Sequence, residues 1–560
     1  MPRSRSRLAL SLSWVPVLMC SVSLFSTTSS AVELQNLELV FTKTYRCLGL
    51  PSDTLNFFGR SISTAGDVNG DGYDDVIVAA AEWNPVLWWV SKAFIFFGGD
   101  PMDTIPDVVL TGDYDGEALV QVCGAGDFNS DGFDDVVMSN HGDQGVRVFF
   151  GGNPMDTIYD VLLMNRMTSS FANSISPAGD VNGDGFDDIV VGDYMTNGLN
   201  GSAAIFFGAT SPDGWPDLIL WGQRGEGFGM QVAGGGDLNC DGYDDIVVGE
   251  PDNSESTSWA GKMYVFFGGD PMDTTPDVWM YGEGPNHWLG LFELDIVNVD
   301  TLCDWVGAGT EFYPDGFPAF CPGKVYVLFG DTLMDGIPDA AMLGRTDSSG
   351  LGMCTRSAGR IVATGFEGLL SGASAEYDYR GSSYLWLTNV PFDTVPDGIA
   401  TGSYPEETPA WLVATAGDVD GDGYDEVMFS NYASLDSMKT VWVCKYTGTG
   451  VFEEAYHESA VSTPFLMQNT PNPFSNSTLV CFRLSGDEDV CTSLNIHDVA
   501  GRLVRNLWSS DKADIETGVG TFTARWDGRD EAGNAVPSGV YFCRLRTGEF
   551  EQARKMVLLR

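Results

Sequence analysis

Five short acidic segments with nearly the same sequence recur along this chain. They read D-x-N-x-D-G-x-x-D or a close variant and begin at Asp67, Asp127, Asp180, Asp237 and Asp418. Side-chain oxygens at positions 1, 3, 5 and 9, with a backbone carbonyl at position 7, can surround a hard cation, and glycine at position 6 permits the turn. The spacing therefore predicts calcium sites. Mg²⁺ fits less well because it prefers near-octahedral geometry and retained waters.

Each predicted site takes its ligands from one loop. The side-chain sets are Asp67, Asn69, Asp71, Asp75; Asp127, Asn129, Asp131, Asp135; Asp180, Asn182, Asp184, Asp188; Asp237, Asn239, Asp241, Asp245; and Asp418, Asp420, Asp422, Glu426. The carbonyls are those of Tyr73, Phe133, Phe186, Tyr243 and Tyr424. The alternative is a solvated, metal-free turn rich in Asp and Asn. Repetition at a fixed phase favours the cation, so we expect about five Ca²⁺ ions.

The loops mark an internal repeat. The first four are separated by 60, 53 and 57 residues, and the fifth follows after 181. That gap has room for two decayed copies, which we place at Ile296 to Asp304 and around Gly359. In the first of these, Asn298, Asp300 and Asp304 are retained and the first Asp is lost. Seven repeats are therefore expected, and the loops of the fifth and sixth should bind no ion.

A second element, typified by PMDTIPD at Pro101, recurs between successive acidic loops and is typical of a hairpin connection. One repeat then holds four short strands, which in the first copy are Arg60–Ala65, Val76–Ala80, Lys92–Phe97 and Val108–Thr111. Four strands per repeat, seven times, predict an all-β fold with a seven-bladed β-propeller, and a solenoid is the alternative. The spare strand Leu37–Lys43 should complete the last blade and close the ring.

Composition bounds the function. The chain has 560 residues and a formal charge of −49, which makes nucleic-acid and anionic-membrane binding improbable. Residues 1–31 have the order of a secretory signal peptide, with three arginines, an apolar run and a small-residue cleavage site. An N-terminal membrane anchor is the alternative. No other stretch reaches membrane-spanning length, so we expect a secreted or surface-attached protein without a transmembrane segment once the signal is removed.

The strings GRSISTAGDVNGDGYDDVIVAA and GMQVAGGGDLNCDGYDDIVVGEP resemble FG-GAP repeats. Such repeats build the propellers of integrin α-chains and of many bacterial surface proteins. The resemblance runs from Leu34 to His457, within a propeller domain assigned to residues 32–458. It implies calcium in the loops between the first and second strands of a blade. The two decayed loops, Glu426 in place of Asp, and the added Pro-Asp hairpins depart from the pattern.

After His457 the repeat stops, and residues 459–560 carry short alternating strands that predict a small immunoglobulin-like β-sandwich. We place these strands at Thr478–Leu484, Thr492–His497, Phe522–Trp526, Val540–Leu545 and Lys555–Leu559. The strings NTPNPF, LNIHDVAGRLVRNL and ARWDGRDEAGNAVPSGVYFCRL resemble the sorting domain of bacterial type IX secretion substrates and the related domain of the flagellar hook-capping protein. The resemblance implies that secretion machinery recognises this domain, followed by release or attachment at the cell surface.

The cysteines are widely and irregularly spaced, so they predict neither a zinc site nor a redox motif. Two disulfides are conceivable: Cys303 and Cys321 flank one loop, and Cys481 and Cys491 flank another. Buried free thiols are the alternative.

The loops on the face opposite the acidic segments vary in length and are rich in aromatic residues. This pattern favours a face that binds an extracellular protein or glycan. The candidate ligand-binding residues are Trp83, Trp88, Trp89, Trp259, Tyr313, Phe317, Tyr377 and Tyr379. Packing of these rings over the blade edges is the alternative.

No catalytic motif is present, so the chain is not expected to be an enzyme. Adhesion or ligand binding is the leading functional hypothesis. A secreted polysaccharide hydrolase or lyase acting at the variable face, and a structural envelope component, are the alternatives.

Overall fold

The protein is described here from a computed structural model. It describes residues 32–35, 37–46, 55–84, 88–114, 121–140, 145–165, 171–298, 303–310, 323–345, 349–362, 367–374, 381–388, 392, 394–402, 412–431, 438–447, 465–466, 474, 478–484, 492–509, 520–547 and 550–559. Apart from one four-residue helix, α1 (Thr196–Leu199), the regular elements of these residues are β-strands.

The described chain begins with two strands, β1 (Val32–Gln35) and β2 (Leu37–Arg46), which join sheets formed much later in the sequence. The first sheet contains β3 (Leu55–Asn56), β4 (Ile62–Gly66), β5 (Asp75–Asn84), β6 (Trp88–Phe96) and β7 (Val108–Tyr114). The second contains β8 (Val122–Gly126), β9 (Asp135–Asn140), β10 (Gly145–Phe149) and β11 (Val161–Met164). The third contains β12 (Ser174–Gly179), β13 (Asp188–Asp193), β14 (Ser202–Phe206) and β15 (Leu218–Trp221).

The remaining sheets of the repeat region follow the same order. The fourth contains β16 (Val232–Gly234), β17 (Ile246–Glu250), β18 (Lys262–Phe266) and β19 (Val278–Tyr281). The fifth contains β20 (Leu294–Val297), β21 (Trp305–Thr310), β22 (Lys324–Phe329) and β23 (Ala340–Leu343). The sixth contains β24 (Leu351–Gly359), β25 (Gly368–Ala373), β26 (Ser382–Leu387) and β27 (Gly398–Gly402), and the seventh β28 (Leu412–Gly417), β29 (Glu426–Ser430) and β30 (Met438–Tyr446).

The sheets form a closed cycle through their first strands. β4 contacts β8, and the contacts continue through β12, β16, β20, β24 and β28 back to β4. All pairings within the sheets are antiparallel, and consecutive strands are neighbours. Sheets of four antiparallel strands arranged in this way are consistent with a β-propeller.

The predicted strand Leu37–Lys43 is present as part of β2 and pairs with β30 as the fourth strand of the seventh sheet. The sheet that closes the cycle therefore joins both ends of the repeat region. β1 pairs with β27 and adds a fifth strand to the sixth sheet.

The core lies between neighbouring sheets. One cluster packs Ile62, Val76 and Phe94 of the first sheet against Ala416 and Val441 of the seventh. Similar clusters join the other neighbours. Strands covered on both faces explain why runs such as VIVAA and IVVGE are almost wholly apolar.

The C-terminal region forms two further antiparallel sheets. One contains β31 (Phe465–Leu466), β32 (Thr478–Leu484) and β35 (Gly520–Trp526), and the other β33 (Thr492–Asp498), β34 (Leu503–Ser509), β36 (Gly539–Thr547) and β37 (Phe550–Leu558). Both sheets contribute to one buried cluster around Trp526. Five of these seven strands overlap those predicted from the sequence, and β31 and β34 were not predicted.

Candidate metal centre

Each intact acidic loop connects the first strand of its sheet to the second. The glycine at position 6 has a positive φ in all five loops, between 89° and 93° at Gly72, Gly132, Gly185, Gly242 and Gly423. Position 4 is left-handed as well, even where it is Ser130 (57°) or Cys240 (60°). This conformation costs a non-glycine residue roughly 1–2 kcal/mol, so other interactions of the loop must hold the turn.

The aspartate at position 1 provides such interactions. In the first loop, Asp67 Oδ1 accepts hydrogen bonds from the N–H groups of Gly70 (2.7 Å) and Asp71 (3.0 Å), and Oδ2 accepts one from Gly72 (2.8 Å). The bonds from positions 5 and 6 recur in the second, third and fourth loops. The loop backbone therefore wraps around its first carboxylate.

The acid at position 9 is buried at the base of each loop. In the first loop, Asp75 accepts hydrogen bonds from Val68 N at 3.1 Å and from Gly98 N at 2.8 Å, which links the acidic loop to the start of the Pro-Asp hairpin. The equivalents of Asp75 are Asp135, Asp188, Asp245 and Glu426, all fully buried. Burial raises the pKa of all five to about 8, and neighbouring loop acids add to the shift.

Several buried oxygens at the predicted ligand positions have no hydrogen-bond partner among the described residues. At position 3 these are Oδ1 of Asn69, Asn129 and Asn239. The others are Oδ1 of Asp418, Oδ2 of Asp135 and Oε1 of Glu426. An unpaired buried oxygen is costly, and a cation would satisfy it. The oxygen-only donor set fits a hard cation such as Ca²⁺.

The seventh loop brings its acids closest together. Single carboxylate oxygens of Asp418, Asp420 and Glu426 lie within 4.8 Å of one another. Position 3 is an aspartate here, Asp420, and its extra negative charge is paired with Lys445. Its Nζ donates to Asp420 Oδ2 at 2.8 Å and contacts Asp422, and these hydrogen bonds raise the pKa of Lys445.

The acid at position 8, to which the sequence analysis gave no role, links each sheet to the one before it. In every case its carboxylate accepts a hydrogen bond from the backbone N–H of position 1 in the preceding sheet. The donor–acceptor pairs are Asp67–Asp134, Asp127–Asp187 and Asp180–Asp244 (2.8 Å each), Asp237–Asp304 (2.7 Å), Asn298–Glu367 (3.0 Å), Arg360–Asp425 (2.6 Å) and Asp418–Asp74 (2.8 Å). The last pair closes a circle of seven bonds, and we call these acids the ring acids.

The ring acids could have been noticed from the sequence, because every intact loop ends in two consecutive acids. Burial raises the pKa of Asp74, Asp134, Asp187, Asp244 and Asp425. The same cause raises the pKa of Glu367 to about 8.

The decayed fifth loop requires a correction. Aligning Asp304 with the last ligand position was wrong, because Asp304 makes the ring-acid bond to Asp237 and so stands at position 8. Position 9 is then Trp305, which is buried with its ring centroid 4.1 Å from that of Phe329. An indole cannot replace the buried carboxylate, and Asp300 lies outside the described residues. In the sixth loop, Glu367 keeps the ring bond and Gly368 occupies position 9.

The cysteine pairing also differs from the expectation. Cys303 forms a disulfide with Cys240, not with Cys321, and so joins the fourth loop to the fifth. Cys321 and Cys491 lie outside the described residues, as does any pairing that involves them. The described free cysteines are buried, as the alternative reading expected.

The candidate ligand-binding aromatics are described only in part. Trp83, Trp88 and Trp89 lie on the β5–β6 hairpin, where Trp83 pairs with Trp89. Trp259 is 53% exposed and stacks on Trp288 at a centroid distance of 6.5 Å. Tyr313, Phe317, Tyr377 and Tyr379 lie outside the described residues.

The similarity of this chain to known proteins lies in the predicted repeat region. Residues 58–86, 171–206 and 228–266 match the FG-GAP repeat family. Integrin alpha-5 from Xenopus laevis is 28% identical over 206 residues, which is 35% of this chain and 15% of the integrin. Integrin alpha-3 from Mus musculus is 34% identical over 113 residues, 19% of this chain and 10% of the integrin. This chain therefore spans a small part of the length of these relatives.

The FG-GAP repeats and the integrin relatives support an FG-GAP β-propeller. The similarity to integrin alpha chains agrees with the expectation that this chain is not an enzyme. Within the part of the chain that the structure describes, no helix has the length and apolarity needed to cross a membrane.

Proposed function

We propose that residues 32–458 form a seven-bladed, calcium-stabilised FG-GAP propeller that acts outside the cell as an adhesion or protein- or glycan-binding module. The observation that carries this proposal is that buried oxygens at ligand positions lack partners among the described residues in four of the five intact loops, at position 3 in three of them. The closed cycle of seven sheets and the integrin similarity support it.

In this proposal five calcium ions are bound by the five intact loops. Each ion would supply positive charge to a loop whose carboxylates otherwise repel one another. The chain's own contribution is to fix the ligands: the backbone amides of positions 5 and 6 orient the first aspartate, and burial holds the acid at position 9. The carbonyls of Tyr73, Phe133, Phe186, Tyr243 and Tyr424 remain proposed ligands.

We further propose export of a bacterial protein through the signal at residues 1–31 and recognition of residues 459–560 by secretion machinery. The two C-terminal sheets around Trp526 support an immunoglobulin-like domain of this kind. The protein would then be released or held at the outer surface.

Isothermal titration calorimetry of the exported chain tests the calcium proposal. We expect about five ions per chain, and no heat from calcium would refute the proposal.

A glycan array and immobilised extracellular-matrix proteins, probed in calcium and in chelator, test the binding role. Binding that requires calcium and weakens in Trp259→Ala, but not in Trp215→Ala on the acidic-loop face, supports it. Binding that is absent, or unchanged in both variants and in chelator, contradicts it. Cleavage of arrayed glycans would support the alternative, a polysaccharide hydrolase or lyase.

A further inference from the structure

A cavity of about 350 Å³ lies at the centre of the cycle of sheets. It is lined by the first strands, or the residues just before them, of six of the seven sheets. Most lining side chains are small or hydroxylated, including Ser63, Thr64, Ser176 and Thr415. Its volume falls at the lower end of the range of small-molecule sites, about 300–1,000 Å³, so a ligand would have to be small.

The cavity wall is not uniform, because two sheets contribute a charged cluster. Four residues before loop position 1, six sheets have Ser63, Cys123, Ser176, Ala233, Leu294 and Ala414, whereas the sixth sheet has Arg356. The fifth sheet adds Glu293 and Asp295. These charges belong to the fifth and sixth sheets, whose acidic loops lack the full set of proposed calcium ligands.

The cluster is built by specific contacts. Arg356 Nε donates to Glu293 Oε2 at 3.1 Å, and Asp295 Oδ2 accepts from Ser357 N at 2.8 Å. The Arg356 side chain is 28% exposed. Burial raises the pKa of the Cys123 thiol on the second sheet to about 12, and the charge of Arg356 opposes this shift. Cys123 and Arg356 both line the cavity, on different sheets.

The hydrogen bond of Arg356 to Glu293 is made through Nε, and the two terminal nitrogens of Arg356 make no hydrogen bond with a described residue. A guanidinium presents its N–H groups as a planar fork that matches a carboxylate. Glu293 and Asp295 beside it can accept hydrogen bonds from a hydroxyl or ammonium group. Together with Arg60 at the cavity wall, the four charges sum to zero, so the strong negative charge of the whole chain is offset locally.

We propose that the central cavity binds a small α-hydroxy or α-amino carboxylate, with its carboxylate on the Arg356 fork and its hydroxyl or ammonium group toward Asp295 and Glu293. This site is separate from the calcium loops and from the aromatic face. It does not depend on the proposed adhesion role.

Calorimetric titration of the full exported chain in calcium tests the proposal. The probes are L-lactate, L-malate, glycine and L-serine, and ethanolamine and glycerol serve as controls without a carboxylate. We expect saturable one-to-one binding of at least one acid. Preference for hydroxy or amino acids identifies which of the two classes the site takes. No saturable binding of any acid, or equal binding of ethanolamine or glycerol, overturns the proposal.

Two variants assign the binding to the cavity. Arg356→Lys keeps the charge beside Glu293 but removes the fork, so affinity should fall at least tenfold. Ser63→Phe fills the cavity from the first sheet without altering the ion pair and should abolish binding, even if Arg356→Lys does not fold. Arg505→Lys, in the C-terminal sheets, is the matched control and should bind as the parent does. Binding unchanged in the folded Ser63→Phe protein overturns the assignment.

Discussion

The sheets with intact loops and the fifth and sixth sheets share one architecture but differ in chemistry. The first four sheets and the seventh have a buried acid at position 9, where the fifth has Trp305 and the sixth has Gly368. All seven keep the ring acid at position 8. Two adjacent residues therefore have separate roles. The acid at position 9 is a proposed ligand of the ion, and the acid at position 8 forms a hydrogen bond between neighbouring sheets.

Loss of the ion ligands in two sheets coincides with other features there. The disulfide between Cys240 and Cys303 joins the fourth loop to the fifth, and three of the four charges at the central cavity come from the fifth and sixth sheets. The ring of bonds between neighbouring sheets is thus kept where the acid at position 9 is lost.

The largest effect should follow removal of all calcium. A site at a free concentration 100 times its Kd stabilises the folded state by about 2.7 kcal/mol, and five sites act together. We expect chelation to lower the melting temperature strongly in differential scanning calorimetry. Calcium should restore it and magnesium at the same concentration should not; an unchanged melting temperature would contradict five structural ions.

Asp188→Asn should remove one ion and the stability that this ion provides, about 2–3 kcal/mol at saturating calcium. Calorimetric titration should report one ion fewer than in the parent. In chelator, where no ion is bound, the difference between variant and parent should largely vanish. A full set of ions in the variant would show that Asp188 is not a ligand.

Asp304→Ala breaks the ring bond between the fourth loop and the fifth sheet, in which we expect no ion. The Asp237 amide loses its partner, so we expect about 1–3 kcal/mol lower free energy of unfolding by denaturant titration, in calcium and in chelator alike. The ion count should not change. Asp187→Ala is the matched variant in an intact sheet; if either ring-acid variant lost only calcium affinity, the separation of roles would be wrong.

Glu367 offers a test by pH. Its folded-state pKa of about 8 exceeds the ordinary value near 4.5, so the folded protein holds a proton that the unfolded chain releases, and stability should fall as pH rises from about 4.5 to 8. Glu367→Gln cannot ionise and should flatten this decline by about 1 kcal/mol or more. Denaturant titrations across this range measure it, and parallel curves for both proteins would exclude the effect.

The smallest effect concerns the seventh loop. Lys445→Met removes the ammonium group beside Asp420 and Asp422. This positive charge would otherwise repel an incoming cation. Calcium affinity at one of the five sites should rise about threefold to tenfold, with the ion count unchanged. Lys92→Met, on the outward side of the first sheet, is the control; a weaker seventh site in Lys445→Met would mean that the lysine supports the ligands.

Most strands of the repeat region could be predicted from the sequence because the same pattern of strands and turns recurs in successive repeats. The closing strand β2 followed from counting strands, since the seventh repeat has only three of its own. The position of the acidic loops between the first and second strands also followed from the sequence, because the spacing of their acids and glycines is local to one loop, and calcium binding by these loops stays a prediction. The alignment of Asp304 with the last ligand position failed because a loop without the full set of ligand residues need not keep their spacing, and only the bond to Asp237 shows which position Asp304 holds.

The features that the sequence alone determined depend on residues close together in the chain. They are the order of the strands, the turn glycines and the acidic loops. Three features connect residues about 60 or more positions apart and could be seen only in the tertiary structure. They are the circle of ring acids, the Cys240–Cys303 disulfide and the contact of Arg356 with Glu293. The physical reason is that closing the cycle of sheets sets these distances. No pattern within a single repeat contains that closure.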